Sequence, residues 1–415
     1  MYDRPALPLG QDPLVTYEVP LPNPTATPAP EPILRPHMPE LDTIRGLAIL
    51  GVLLYHGFYW VQDLSAYSGR ERTFLLLMSP GQFGVNLFFV LSGFLITGIL
   101  LHSRQRQDYF RRFYLRRALR ILPPYYLTLV LLVAFRMTSP GFLLASLAFS
   151  SNMAPLFGVA ISYGVLWSLA VEEHFYLFWP SIVRRISDTK LLWLLGALLL
   201  LSPLSRLYYF RLALRESATA GFGSFTWNHL DGLALGAIVA ILVRRPGWGR
   251  QELWKLAIVL IFSAGLLAAI GYPFGILTRT TPVGVALQYV PWNLASAALL
   301  GLFLWIGTGR WRAIVVPRPL MFLGKISYGL YLYHLLAFQG FQWIAVRTRL
   351  YEHLHLSRWE QLWARMLLGG SAAILGAFLS RRYFEEPFLR LKDGAPRRDD
   401  ESAPIPLPRE NSAAD

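Results

Sequence analysis

With 54% hydrophobic and only 15% charged residues, a chain of 415 residues has too little polar surface to coat the two or three cores that a soluble protein of this length would carry. The formal net charge of +14 would suggest nucleic acid in a soluble protein, but the basic residues stand in short runs between apolar segments, so they read as orientation signals and no nucleic-acid partner is expected. The lack of cysteine excludes disulfides, thiolate metal ligands and a thioester on the protein, so a covalent relay would have to use oxygen or nitrogen.

Residues 1–39 are rich in proline and have no apolar core, so they read as a disordered segment that is neither signal peptide nor membrane span. Ten apolar segments follow: 44–60, 83–101, 118–137, 165–183, 191–210, 229–243, 253–271, 285–307, 320–346 and 365–383. Several reach the roughly 17–25 residues needed to cross about 30 Å of hydrocarbon. Residues 141–150 are also apolar, so the count could differ by one. The expected fold is an all-α polytopic membrane protein, a bundle of about ten transmembrane helices spanning 40–390, with a disordered tail over 391–415.

Charge tests this topology, because loops on the side of the N-terminus should hold the excess of lysine and arginine. Seven arginines lie in 102–120, three basic residues in 184–190, four in 244–255, three in 310–318 and six in 381–398, against none in 139–163. Both termini are therefore expected to be cytoplasmic.

An ionisable group at membrane depth costs several kcal/mol unless paired or hydrated, which makes such residues functional candidates. Arg45 and His56 are eleven residues apart on the first span, roughly 16 Å along a helix at 1.5 Å per residue. Glu172 and Glu173 sit on the fourth span; adjacent helical residues point about 100° apart, so the expectation is that one faces the site and the other pairs elsewhere. Asn86 opens the second span, His229 and Asp231 the sixth, and Tyr331 and His334 lie along the ninth. In the cluster running from Arg111 to Pro123, Arg117 and Arg120 share a helix face next to Arg116. Arginine forks suit phosphate oxygens, and anionic lipid head groups are the competing partner.

These segments resemble the acyltransferase 3 family of integral membrane acyltransferases. The resemblance rests on six blocks in order: Leu41-Asp42-Thr43-Ile44-Arg45-Gly46 through Tyr55-His56; Gly84 to Ile96; Arg117-Ala118-Leu119-Arg120-Ile121; Trp167 to Tyr176; Ser327 to His334; and Glu385-Glu386-Pro387. It implies ten helices in a bacterial inner membrane, and transfer of an acyl group, often acetyl, from cytoplasmic acyl-CoA to a hydroxyl of a cell-envelope sugar, a glycolipid or a macrolide-type metabolite. Asn86 stands where many members have aspartate. No hydrolase-like domain follows the bundle, so direct acylation or a separate extracytoplasmic partner is expected to finish the reaction.

The expected mechanism gives His56 the role of base, with Glu172 or Glu173 orienting it and Arg45 at the entrance as part of the catalytic set. Arg116, Arg117, Arg120 and Asp42 would bind the donor, and Asn86, Asp231, Tyr331 and His334 the acceptor. Direct transfer and an acyl-histidine relay both remain open at this point, and no metal is expected. A proton-coupled transporter or an envelope scaffold is the competing class; the former would move solute without consuming acyl-CoA.

Overall fold

The computed structural model describes residues 33–35, 37–60, 62–216, 222–309 and 311–393. Most of the proline-rich segment and the tail from 394 onward lie outside them. Immediately before the first helix, Ile33 is buried and Arg35 pairs with Glu40 and donates to the Gly307 carbonyl, which fastens this stretch to the bundle.

The described residues form helices and no strand. In chain order they are α1 (Pro39–Leu54), α2 (Gly69–Met78), α3 (Gly84–His102), α4 (Tyr109–Ala134), α5 (Pro140–Leu147), α6 (Leu166–Arg185), α7 (Asp188–Glu216) and α8 (Leu230–Leu242). Then come α9 (Arg250–Gly271), α10 (Pro282–Leu287), α11 (Tyr289–Gly307), α12 (Arg318–Arg347), α13 (Leu350–His353), α14 (Arg358–Ala364), α15 (Gly370–Leu379) and α16 (Glu386–Asp393). Wider π turns continue α1 over Tyr55–Tyr59, join α14 to α15 over Arg365–Gly369, and follow α15 over Ser380–Glu385.

Among the described residues, seven helical stretches are long and apolar enough to cross a membrane: Pro39–Tyr59, Gly69–His102, Tyr109–Ala134, Asp188–Leu214, Arg250–Phe274, Pro282–Gly307 and Arg358–Leu391. The other three expected spans are also helical, as α6, α8 and α12, but fall short of that standard. Helix α6 carries Glu172, Glu173 and two terminal arginines, and α8 has only 13 residues.

Burial separates centre from rim. In α1, 61% of the apolar window is buried, against 17% in α9, so α1 is central and α9 turns most of its surface outward. Without a hydrophobic force between helices in lipid, close packing needs small side chains. Helices α1 and α12 run parallel and meet through Gly46, whose Cα faces the Leu320 carbonyl, and Gly324, which faces that of Asp42. Helices α3 and α8 do the same through Gly93 against Leu233 and Gly236 against Val90. A Cβ at Gly93 would overlap the Leu233 carbonyl, so Gly93→Ala is expected to destabilise the folded protein by about 1–3 kcal/mol, seen as a lowered unfolding temperature in detergent. An unchanged midpoint would mean that the α3–α8 contact is looser than described.

Candidate active site

The space enclosed by α1, α3, α4, α6 and α12 is a narrow cavity of about 100 Å³, open to solvent. Arg45, Arg117, Arg120, Glu172, Glu173, Tyr328 and Tyr331 are on its wall together with Ser92 and Tyr176. The first half of α4 supplies two of the arginines because residues 117 and 120 are three apart and share one face.

The polar groups hold one another. Glu172 accepts hydrogen bonds from Ser92 Oγ at 2.6 Å and from Tyr176 OH at 3.0 Å. The Tyr176 ring lies under the Arg117 guanidinium, 3.7 Å from Cζ to the ring centre, a cation–π contact. Asp42 pairs with Arg45 at 2.7 Å and does not itself line the cavity. Arg116 is exposed and outside the lining. Glu172 and Glu173 both line this one cavity, which corrects the expectation that adjacent acids cannot share a centre. The lining runs from Arg117 and Arg120 on α4 to Tyr328 and Tyr331 on α12 and takes in both acids of α6 between them.

His56 lies elsewhere on α1, in the π turn after Leu54. Its Nδ1 is 2.9 Å from the Val52 carbonyl oxygen and 3.3 Å from Nε2 of His334. Nδ1 of His334 is 2.8 Å from the Tyr331 carbonyl and 3.1 Å from that of Leu330. Carbonyl oxygens only accept, so each ring carries its proton on Nδ1. His334 Nε2 is then a lone pair that shares the His56 Nδ1–H with Val52. Among the described residues no hydrogen bond ends on His56 Nε2, which leaves a half-buried lone pair free to take a proton. Neither glutamate is a hydrogen-bond partner of His56, so the expected Glu–His pair is replaced by a histidine pair. Residue spacing could not show this, because the two rings are 278 positions apart.

A second cavity, of about 520 Å³, borders the other side of this pair. Along α12 the first cavity is lined by Ser327, Tyr328 and Tyr331, and the second by Leu335, Phe338, Gln339 and Gln342. Along α1 the first takes Arg45 and the second is reached at Trp60. His334 and His56 therefore stand between the two on both helices. Tyr331 bridges toward them, with its hydroxyl 2.5 Å from Ser168 Oγ and its ring centre 5.9 Å from that of His334. The π turns over Tyr55–Tyr59 and Arg365–Gly369 face each other here, Gly57 against Met366; such turns re-aim side chains within a helix and recur at functional sites.

Asp42, Arg116, His56 and His334 are not among the lining residues of either cavity, and Asn86 and Asp231 are held by partners on other helices. Asn86 donates to Asn293 at 2.7 Å between α3 and α11, and Asp231 is bound by Arg206 at 2.9 Å between α7 and α8. Sequence reasoning passed over Ser92, Ser168, Tyr176, Arg206 and Arg365. Tyr176 was signalled by its position four residues after Glu172 on the same helix face. No group of three or more potential metal ligands occurs among the described residues.

A family model described as an acyltransferase domain matches residues 38–382. The chain is 26% identical over 388 residues to the peptidoglycan O-acetyltransferase OatA of Listeria monocytogenes, covering 85% of this chain and 56% of that protein. It is 25% identical over 328 residues to the O-acetyltransferase OatA of Staphylococcus aureus, covering 72% of this chain and 50% of that protein. A third relative, the putative peptidoglycan O-acetyltransferase YrhL of Bacillus subtilis, is 36% identical over 167 residues, 35% of this chain and 24% of that protein. The chain thus spans about half the length of the first two relatives or less of the third. No solved structure matches.

Proposed function

The chain belongs to the acyltransferase 3 family, and from that premise we propose that it moves an acetyl group from acyl-CoA to a hydroxyl of cell-envelope carbohydrate. In this reading the bundle crosses a bacterial inner membrane ten times, with α6, α8 and α12 completing the seven apolar spans and both termini in the cytoplasm. The basic runs beside alternate helix ends support that orientation.

The observation that carries the reading is the histidine pair standing between two cavities on both α1 and α12. The donor enters the first cavity, where Arg45, Arg117 and Arg120 offer forked donors to its phosphates. The acceptor enters the second. The acceptor oxygen attacks the thioester carbonyl carbon while His56 Nε2 takes its proton; the C–S bond then breaks and the imidazolium returns that proton to the thiolate, releasing the acyl ester and free coenzyme A. Val52 O and His334 orient the base, and Glu172 acts at a distance by holding Tyr176 beneath Arg117. An acyl-histidine relay would use the same nitrogen as nucleophile and give the same products.

The test is transfer of radiolabelled acetyl from acetyl-CoA into envelope carbohydrate by purified protein in liposomes. Arg120→Ala is expected to raise the KM for acetyl-CoA about 5–30-fold, the loss of one charge-assisted contact partly screened by water, with a smaller change in kcat. Solute movement without donor consumption would overturn the reading in favour of a transporter.

A further inference from the structure

The second cavity has a chemistry of its own. Trp60 stands at its edge with its ring centre 5.5 Å from that of His56, and four glutamines line its wall, of which Gln62 accepts from Tyr67 OH. The Gln342 Oε1 accepts from Tyr351 OH and the Gln361 Nε2 donates to the Leu356 carbonyl. That leaves the Gln342 amide nitrogen, the Gln361 amide oxygen and both ends of Gln339 without a hydrogen-bond partner among the described residues. Arg365 lies with its Cζ 5.2 Å from the Phe338 ring centre, and its Nε is buried without a hydrogen-bond partner. Arg358 is exposed and makes no ion pair among the described residues. One acid, Asp63, is found among the described lining residues, and it caps the turn at Leu64–Ala66 by accepting from Ser65 N and Oγ. Those two bonds, ahead of the field of Arg358, hold its carboxyl below the usual carboxylate range, so it stays ionised and the wall keeps two cations against one anion.

We propose that this cavity binds an anionic glycan, its carboxylate or phosphate paired with Arg365 and Arg358, its hydroxyls bonded to the free amides of Gln339, Gln342 and Gln361, and a sugar ring stacked on Trp60. Amide groups without partners on a cavity wall suit a ligand rich in donors and acceptors, and the buried, unpartnered Nε of Arg365 favours an oxyanion. The inference rests on the acyltransferase reading only in calling this glycan the acceptor.

Binding can be measured on the full chain in uncharged detergent, without acyl donor, by titration calorimetry with three probes: an oligogalacturonate, a glycerol-phosphate oligomer and a neutral N-acetylglucosamine oligomer. An anionic oligomer is expected to bind at least about 10-fold more tightly than the neutral one, the value of roughly one charge-assisted contact, and the better of the two identifies the substituent. Arg365→Gln and the exposed Arg358→Gln should each erase most of that preference while leaving neutral-oligomer binding in place, which also reports that the variants fold. Equal affinity for all three probes, no effect of either substitution, or displacement of the glycan by phosphatidylglycerol vesicles at equal phosphate concentration would overturn the proposal. Donor consumption is a separate readout: a charge preference without acetyl-CoA turnover retains the glycan site and rejects the acyltransferase reading, whereas turnover without charge preference does the reverse.

Discussion

Replacing His56 with alanine is expected to lower acetyl transfer about 10²–10⁴-fold, the usual contribution of a positioned general base, while the protein still inserts and folds. His56 is half-buried, and among the described residues its side-chain hydrogen bonds reach only Val52 O and His334, so its loss leaves a carbonyl and a neutral imidazole short of a shared donor. His334→Gln should be much milder, about 10-fold, because the Val52 carbonyl still fixes the His56 tautomer. The measurement is label transfer from acetyl-CoA at saturating donor, alongside unfolding temperatures for both variants. Equal losses in the two would show that the rings act as one catalytic unit, and full activity in His56→Ala would remove the base, and the acyl-histidine, from the mechanism.

The largest effect on stability is expected at Arg206, not at the candidate active site. Its guanidinium is buried and donates from Nε to the Ala286 carbonyl, from Nη1 to that of Asn228 and from Nη2 to Asp231, each at 2.9 Å. One side chain thereby ties α7, α8 and the α10 segment together. Arg206→Ala would leave a buried carboxylate without its cation and two carbonyls without donors, a loss of about 3–5 kcal/mol. The double variant Arg206→Met with Asp231→Leu should recover much of this, because it removes both charges and not one. Unfolding in detergent gives the energies, and transfer per folded molecule should stay near wild type, since neither residue lines a cavity. A selective loss of transfer in Asp231→Asn with unchanged stability would instead return Asp231 to the acceptor site.

Much of the architecture was legible without coordinates. Each expected span is occupied by a helix, because runs of apolar residues of that length have few other ways to bury their backbone polar groups in lipid. The pairing of Arg117 with Arg120 on one face was equally local, a consequence of 3.6 residues per turn. The partners of His56 were not legible. The 3.6 period says which way a side chain leaves its own helix but not which helix it meets, so on sequence Glu172 or Glu173 is the expected partner and His334 is assigned to the acceptor. The clue lay in Gly46 and Gly324, whose missing side chains let α1 and α12 approach, but the meaning of a glycine depends on the neighbour it admits.

Asn86 and Asp231 teach the same lesson from the other direction. Both were singled out because polar groups in a membrane need a reason, and both have one in a partner on another helix, Asn293 and Arg206. Composition and periodicity alone determined that this chain enters a membrane, where its helices run and which of its polar residues carry an energetic burden. Only the tertiary structure decided which of those groups neutralise one another and which face a cavity. Helix formation and membrane insertion are set by neighbours within about twenty residues along the chain, whereas the pairing of buried polar groups depends on contacts between segments that packing alone brings together.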